Sequence, residues 1–186
     1  MKNRPAVGVL LAAASLALAG CSVNAAEVTP AENSQASTEF SMNDIMFAQM
    51  MIPHHEQAVE LASLAETNTD YVIILDLASR IASAQQPEID EMRAWLTEAG
   101  VDVEMGHSMS MPGLVSDADM AEIENTQGDE FDVLFLTHMI AHHQGAVEMA
   151  NDVVASTTSP RVRELATAIV ASQTAEIAEM EALLYG

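Results

Sequence analysis

Met51-Ile52-Pro53-His54-His55-Glu56-Gln57-Ala58-Val59-Glu60 returns 88 residues later, without a gap, as Met139-Ile140-Ala141-His142-His143-Gln144-Gly145-Ala146-Val147-Glu148. Across residues 44–62 and 132–150, 10 of 19 positions are identical. A pair of adjacent histidines inside an apolar helical stretch is uncommon once. Its recurrence in the same surroundings points to two half-sites brought together by a pseudo-two-fold fold.

Periodicity around these blocks is helical, and no stretch alternates as a strand would. Ser41 with Asp44 has the pattern of a capping box for a first helix that runs to near Glu66. Residues 67–70 read as a turn, and a second helix runs from about Tyr71 to Ala99 with Gly100 at its stop. A third long helix, from Asp129 to about Val154, repeats the first. Ser159-Pro160, a cap followed by proline at the first helical position, starts the last, which ends near Tyr185. The second helices repeat as well: Ile81, Gln85, Glu88, Ile89, Glu91 and Met92 recur as Ile169, Gln173, Glu176, Ile177, Glu179 and Met180. The unit is therefore a helical hairpin present twice. Neither copy can bury its apolar stripe alone, so the expected fold is an all-α four-helix bundle of two hairpins. Repeat one covers 41–100 and repeat two 129–186. The crossover, 101–128, carries a Met/Gly segment and a short helix at about 117–125 capped by Ser116.

The N-terminus reads as a separate part. Lys2 and Arg4 precede a short apolar run at 7–19 and then Leu18-Ala19-Gly20-Cys21, the pattern of a signal peptide ending in a lipobox. Residues 1–20 are then the lipoprotein signal peptide, Cys21 the lipidated residue, 21–39 a flexible polar tether and 40–186 the folded part. A plain signal peptide cut near Ala25-Ala26 is the alternative. Cys21 is the single cysteine, so no disulfide forms within one chain. Loss of residues 1–20 leaves four Arg and no Lys against 28 carboxylates, a net charge of −24. Such a surface repels nucleic acid and gathers cations.

The chemistry sits on the repeated helices. Adjacent helical residues point about 100° apart, so two neighbouring His cannot aim at one point unaided. Each has a partner one turn earlier: Met50 before His54, Met51 before His55, His138 before His142 and Met139 before His143. Thioether with imidazole suits Cu(I), whereas His138 with His142 would also suit Cu(II) or Zn(II). The competing reading makes one His of each pair a satisfied core residue; Met46, Met92, Met149 and Met180 read as core filler. Met105, Met109 and Met111, with His107 between them, lie among Gly, Ser and Pro where no apolar stripe asks for them. They form either a soft-metal segment or a cover over one end of the bundle. Glu88 and Glu176 are placed to accept from the second nitrogen of a ligating His, to bind metal directly or simply to lie in water.

The paired Met-Ile-x-His-His blocks followed by Ala-Val-Glu-(Leu/Met)-Ala resemble a family of secreted bacterial proteins, domain of unknown function 305. The resemblance implies a ferritin-like fold of two two-helix repeats and extracytoplasmic copper binding through His and Met. It would make His54, His55, His142 and His143 the main site, with Met51 and Met139 alongside. The two copies differ where Pro53 faces Ala141 and Met50 faces His138. Pro53 should kink the first helix before its His pair, and the half-sites should be unequal.

The leading expectation is a copper-binding lipoprotein on the outer face of a membrane that buffers, stores or hands over Cu(I) to a metal-handling partner, with zinc or iron as lesser candidates. A ferritin-type di-metal oxidase or ferroxidase is the alternative, but the single Glu-x-x-His, Glu104 to His107, falls in the crossover rather than on a bundle helix. A non-metal structural or partner-binding module is the third.

Overall fold

The computed structural model describes residues 39–104 and 111–186, and all their regular structure is helical. Expectations for the signal peptide, Cys21 and the tether through residue 38, and for Met105, His107 and Met109, lie outside the described residues.

Helix α1 spans Met42–Ser63 and begins on the expected capping box. Ser41 Oγ accepts from the Asp44 amide at 3.2 Å, and the Ser41 amide donates to Asp44 Oδ2 at 2.8 Å. The helix passes through Pro53, which has no N–H to offer the Gln49 carbonyl. A break at Leu64 separates it from the short α2, Ala65–Asn68. Helix α3 spans Val72–Ala99, with Gly100 closing it at φ 69°. Helix α4 is Asp117–Glu124, α5 is Asp129–Ser156 and α6 is Pro160–Tyr185. Ser159 caps α6 with Pro160 in its first turn.

Within each hairpin α1 packs on α3 and α5 on α6, and the hairpins meet through α1 and α5. Asn43 and Met46 share a groove with Val153 and Ser156, while His54 meets His142, so α1 and α5 run antiparallel. The buried apolar residues form two clusters. One gathers Phe47, Met51, Ile52, Trp95, Ala146 and Ile169; the other gathers Leu61, Leu77, Ile81, Phe131, Phe135 and Met139. Among the described residues, no helix is long and apolar enough to cross a membrane.

The 67–70 stretch corrects the sequence reading. Thr67 and Asn68 are helical, and Asn68 is buried. Its side-chain amide donates to the carbonyls of Ile123, Glu124 and Thr126 at 3.2, 3.0 and 2.7 Å, and its backbone carbonyl accepts from Gly128 at 2.8 Å. Polarity there serves a long-range contact: one asparagine ties the end of α4 and the start of α5 to the first hairpin.

Candidate metal centre

A polar layer separates the two apolar clusters. On α1, His54 and His55 lie between Ile52 of one cluster and Ala58 of the other; on α5, His142 and His143 lie between Ile140 and Ala146. On α3, Gln85 and Glu88 fall between Ile81 and Ile89, and on α6, Gln173 and Glu176 fall between Ile169 and Met180. The four His side chains are wholly buried and the two Gln are 2% exposed. Polar groups in such a position are costly unless they find partners.

The partners are unequally supplied. His55 Nε2 donates to Glu88 Oε2 at 2.8 Å, and His143 Nε2 donates to Glu176 Oε2 at 2.9 Å. Both carboxylates reach in from the bundle edge, where they keep 17% and 14% exposure. His54 Nε2 donates to the Pro112 carbonyl at 3.0 Å. His142 makes no well-formed hydrogen bond; the His54 backbone carbonyl only weakly opposes the effect of its burial. The Nδ1 atoms of all four rings, and both amide atoms of Gln85 and Gln173, lack a protein partner.

Burial pushes the His54 imidazole down to about 4, against the opposing pull of the Pro112 carbonyl and with the help of repulsion from His55. Burial holds His142 well below the ordinary range too, with His54 adding to the effect. Both rings are neutral at pH 7. A carbonyl or carboxylate can only accept, so Nε2 of His54 carries the proton and Nδ1 keeps its lone pair; the same holds for His55 and His143 when neutral. The Glu–His contacts therefore orient two rings and leave a ligand nitrogen on each.

His54 and His142 meet across the pseudo-two-fold axis with ring centroids 3.8 Å apart and planes tilted by 38°. Met51 and Met139, each one turn before His55 and His143, are fully buried and belong to opposite clusters, so their thioethers flank the layer from its two sides. Met50 and His138 are half-buried. Met111 packs down on the cluster that contains Trp95. Among the described residues, no three His, Cys, Asp or Glu side chains stand close enough to hold one ion as arranged. Lone pairs lie in the ring plane, and the tilted His54 and His142 rings have no third such side chain at a shared centre. The available donors are imidazole nitrogens and thioethers, which suit a soft or borderline ion.

A strap from the crossover covers this ring pair. Gln57 holds it by donating to the Val115 carbonyl at 2.8 Å and accepting from the Val115 amide at 2.9 Å. Gly113, at φ 78°, lies against the Ala141 carbonyl, and a Cβ on Gly145 would stand 2.0 Å from the Pro112 carbonyl oxygen. Position 145 is the repeat-mate of Gln57. One copy offers an amide to the strap and the other offers no side chain at all, a further mismatch that sequence reading passed over. It also left Gln85 and Gln173 out of the site, although their recurrence three residues before Glu88 and Glu176 was the available signal.

A crystal structure of a DUF305 protein from Streptomyces coelicolor, taken to be secreted, has the same fold with a TM-score of 0.74 and 33% identity, covering 76% of this chain and 91% of that one. CopM in its Cu(II)-bound form aligns with a TM-score of 0.66 and 31% identity over 76% of this chain and 95% of that one, and CopM has also been solved with Cu(I) and with Ag. A shorter match, 42% identical over 59 residues, is to an uncharacterized protein, L153, of Acanthamoeba polyphaga mimivirus; it covers 32% of this chain and 39% of that protein. Residues 44–184 match the family described as domain of unknown function, DUF305. That match runs from the capping-box aspartate of α1 to the last turn of α6, so both hairpins and the strap between them lie within it, and the chain belongs to the DUF305 family.

Proposed function

We propose that this protein is an extracytoplasmic copper-binding protein, anchored in a membrane through a lipid on Cys21, that buffers Cu(I) or passes it to a metal-handling partner. The observation that carries this reading is the buried His layer. Four imidazoles keep unpartnered Nδ1 atoms while Glu88, Glu176 and Pro112 hold three of their Nε2 atoms. A layer kept only for packing would gain from apolar residues, because unpaired buried polar atoms destabilise. The copper-bound and silver-bound forms of CopM support the choice of ion.

In this reading His54, His55, His142 and His143 supply nitrogen donors, with the thioethers of Met51 and Met139 on either side. Met50 and His138 form the outer members of their i,i+4 pairs. Met105, His107, Met109 and Met111 of the crossover supply a second soft donor set. Glu88 and Glu176 are positioning residues that fix ring tautomer and orientation. The acidic surface raises the local cation concentration.

Titration with Cu(I) against a chromophoric chelator tests the reading, comparing residues 22–186 with the same chain carrying His54→Ala, His55→Ala, His142→Ala and His143→Ala. Loss of the tightest binding in a variant that remains helical supports it. Equal affinity in the two proteins overturns it. Oxygen consumption with Fe(II), without any response to copper, would instead identify a ferritin-type oxidase. Cys21→Ser should move the protein from the membrane fraction to the soluble one.

A further inference from the structure

The seam between α1 and α5 opens at one end into a groove of about 230 Å³. Met46, Phe47 and Met50 line it from α1, and Met149, Asp152 and Val153 from α5. Met46 and Met50 are half-buried, Met149 is 8% exposed, and Asp152 is exposed at the rim. Three thioethers thus share one space open to solvent, beside a carboxylate.

The internal repeat provides a control for why sulfur is there. At the opposite end of the same seam, 88 residues away in sequence, Met46 becomes Leu134, Met149 becomes Leu61 and Asp152 becomes Leu64. That end is filled: Leu61 and the neighbouring Phe131 and Phe135 are buried in one apolar cluster with Ile123 of α4. The fold is therefore satisfied by leucine at these positions. Packing accounts for an apolar residue at 46 and 149 but not for a thioether, and not for the groove left between them. Methionine as simple filler is the sequence expectation for Met46 and Met149, and Met149 does belong to the buried apolar cluster; the open groove beside it is what filler leaves unexplained.

We propose that this groove is a second, outer site for a soft monovalent cation, Cu(I) or Ag(I), held by the thioethers of Met46, Met50 and Met149, with Asp152 balancing its charge. Soft donors without imidazole or thiolate favour such an ion over the hard divalent cations. The groove leads inward. Met46, Met50 and His54 follow at four-residue steps on one face of α1, each step advancing about 6 Å along the axis. His142, in ring contact with His54, lies two turns before Met149 on α5. The site stands on the groove itself; only its role as the entrance to the His layer rests on the copper reading above.

The test uses the chain of residues 22–186 with Met ε-methyl groups labelled with carbon-13, titrated with Ag(I). The resonances of Met46, Met50 and Met149 should shift together and saturate with one equivalent beyond what the His layer takes up. The variant Met46→Leu with Met149→Leu carries the residues of the other half and should keep the fold; in it the Met50 shift should need at least tenfold more Ag(I). Unmoved methyl signals in the wild type, or a Met50 shift at unchanged affinity in the double variant, would overturn the proposal. The four-His variant separates it from the buried site, because the three methyl shifts should persist there even when tight Cu(I) binding is lost. Loading of the His layer should slow at least tenfold in the Leu variant, and an unchanged rate would overturn the entrance role alone.

Discussion

Gly145→Ala places two effects of opposite sign in one residue. Inside a helix, replacing Gly by Ala ordinarily stabilises by about 1 kcal/mol. Here the new Cβ would stand 2.0 Å from the Pro112 oxygen, 2.5 Å from the Pro112 carbonyl carbon and 3.0 Å from the Gly113 nitrogen. All three are backbone atoms, so no flexible side chain can swing away. Ordinary contact begins near 3.4 Å, and the strap must lift by more than about 1 Å to restore it. Pro112 is also the acceptor for His54 at 3.0 Å, and a displacement of that size removes the bond. An unpaired buried N–H costs about 1–3 kcal/mol, and overpacking adds about as much again. The loss outweighs the helical gain, for a net destabilisation of about 3 kcal/mol. Urea unfolding followed by far-UV circular dichroism measures it. Gly100→Ala serves as a control, since φ is 69° there but nothing lies within 4 Å, so only the backbone conformation is strained. A Gly145→Ala protein more stable than wild type by the ordinary helical increment would refute the tight strap and its link to His54.

Acid should weaken the metal-free bundle. The folded state holds His54 near 4 against 6.5 for the free side chain, so between these values the unfolded chain binds more protons and stability falls as pH falls. The full effect is about 3 kcal/mol, present above pH 6.5 and lost by pH 4, with His142 acting in the same direction. His54→Leu should flatten the difference between unfolding free energies measured at about pH 7 and about pH 4.5; an unchanged acid slope would count against a neutral buried His54. Asn68→Ala leaves the carbonyls of Ile123, Glu124 and Thr126 without their donor and should destabilise by about 2–4 kcal/mol, with amide exchange quickening first in α4; uniform exchange across the bundle would contradict the clip. Glu88→Ala or Glu176→Ala, tested by competitive Cu(I) titration, should lower affinity by about 10- to 100-fold through loss of ring orientation, and an unchanged affinity would remove the carboxylates from the site.

Much of the bundle could be read from the chain because the repeat and the helical period agree. Ser41/Asp44, Gly100 and Ser159-Pro160 mark helix ends by local chemistry that is independent of the rest of the fold. The Glu–His contacts were foreseeable because Glu88 and Glu176 repeat at the same offset as His55 and His143, so one geometry had to serve both halves. Asn68 escaped because a polar residue beside Thr and Asp looks like a turn, and its three acceptors lie more than fifty residues away. The strap escaped for a related reason. Gln57 and Gly145 acquire meaning only once a third segment passes over both. The His54/His142 contact needed the antiparallel pairing of α1 with α5, which the repeat suggests but does not set in register.

The His54 and His142 rings meet at the axis that relates the two halves. A single hairpin associating with a second copy of itself could build the same arrangement, but each ring would then see identical surroundings. A peptide linking the copies belongs to neither half and can lean on one ring only. Pro112 does this: its carbonyl occupies His54 and leaves His142 free. The connection between the two hairpins is thus more than a tether. The connecting peptide itself breaks the equivalence of the two histidines, and the two ends of the seam differ with them, one packed with leucine and phenylalanine, the other an open mouth lined with sulfur.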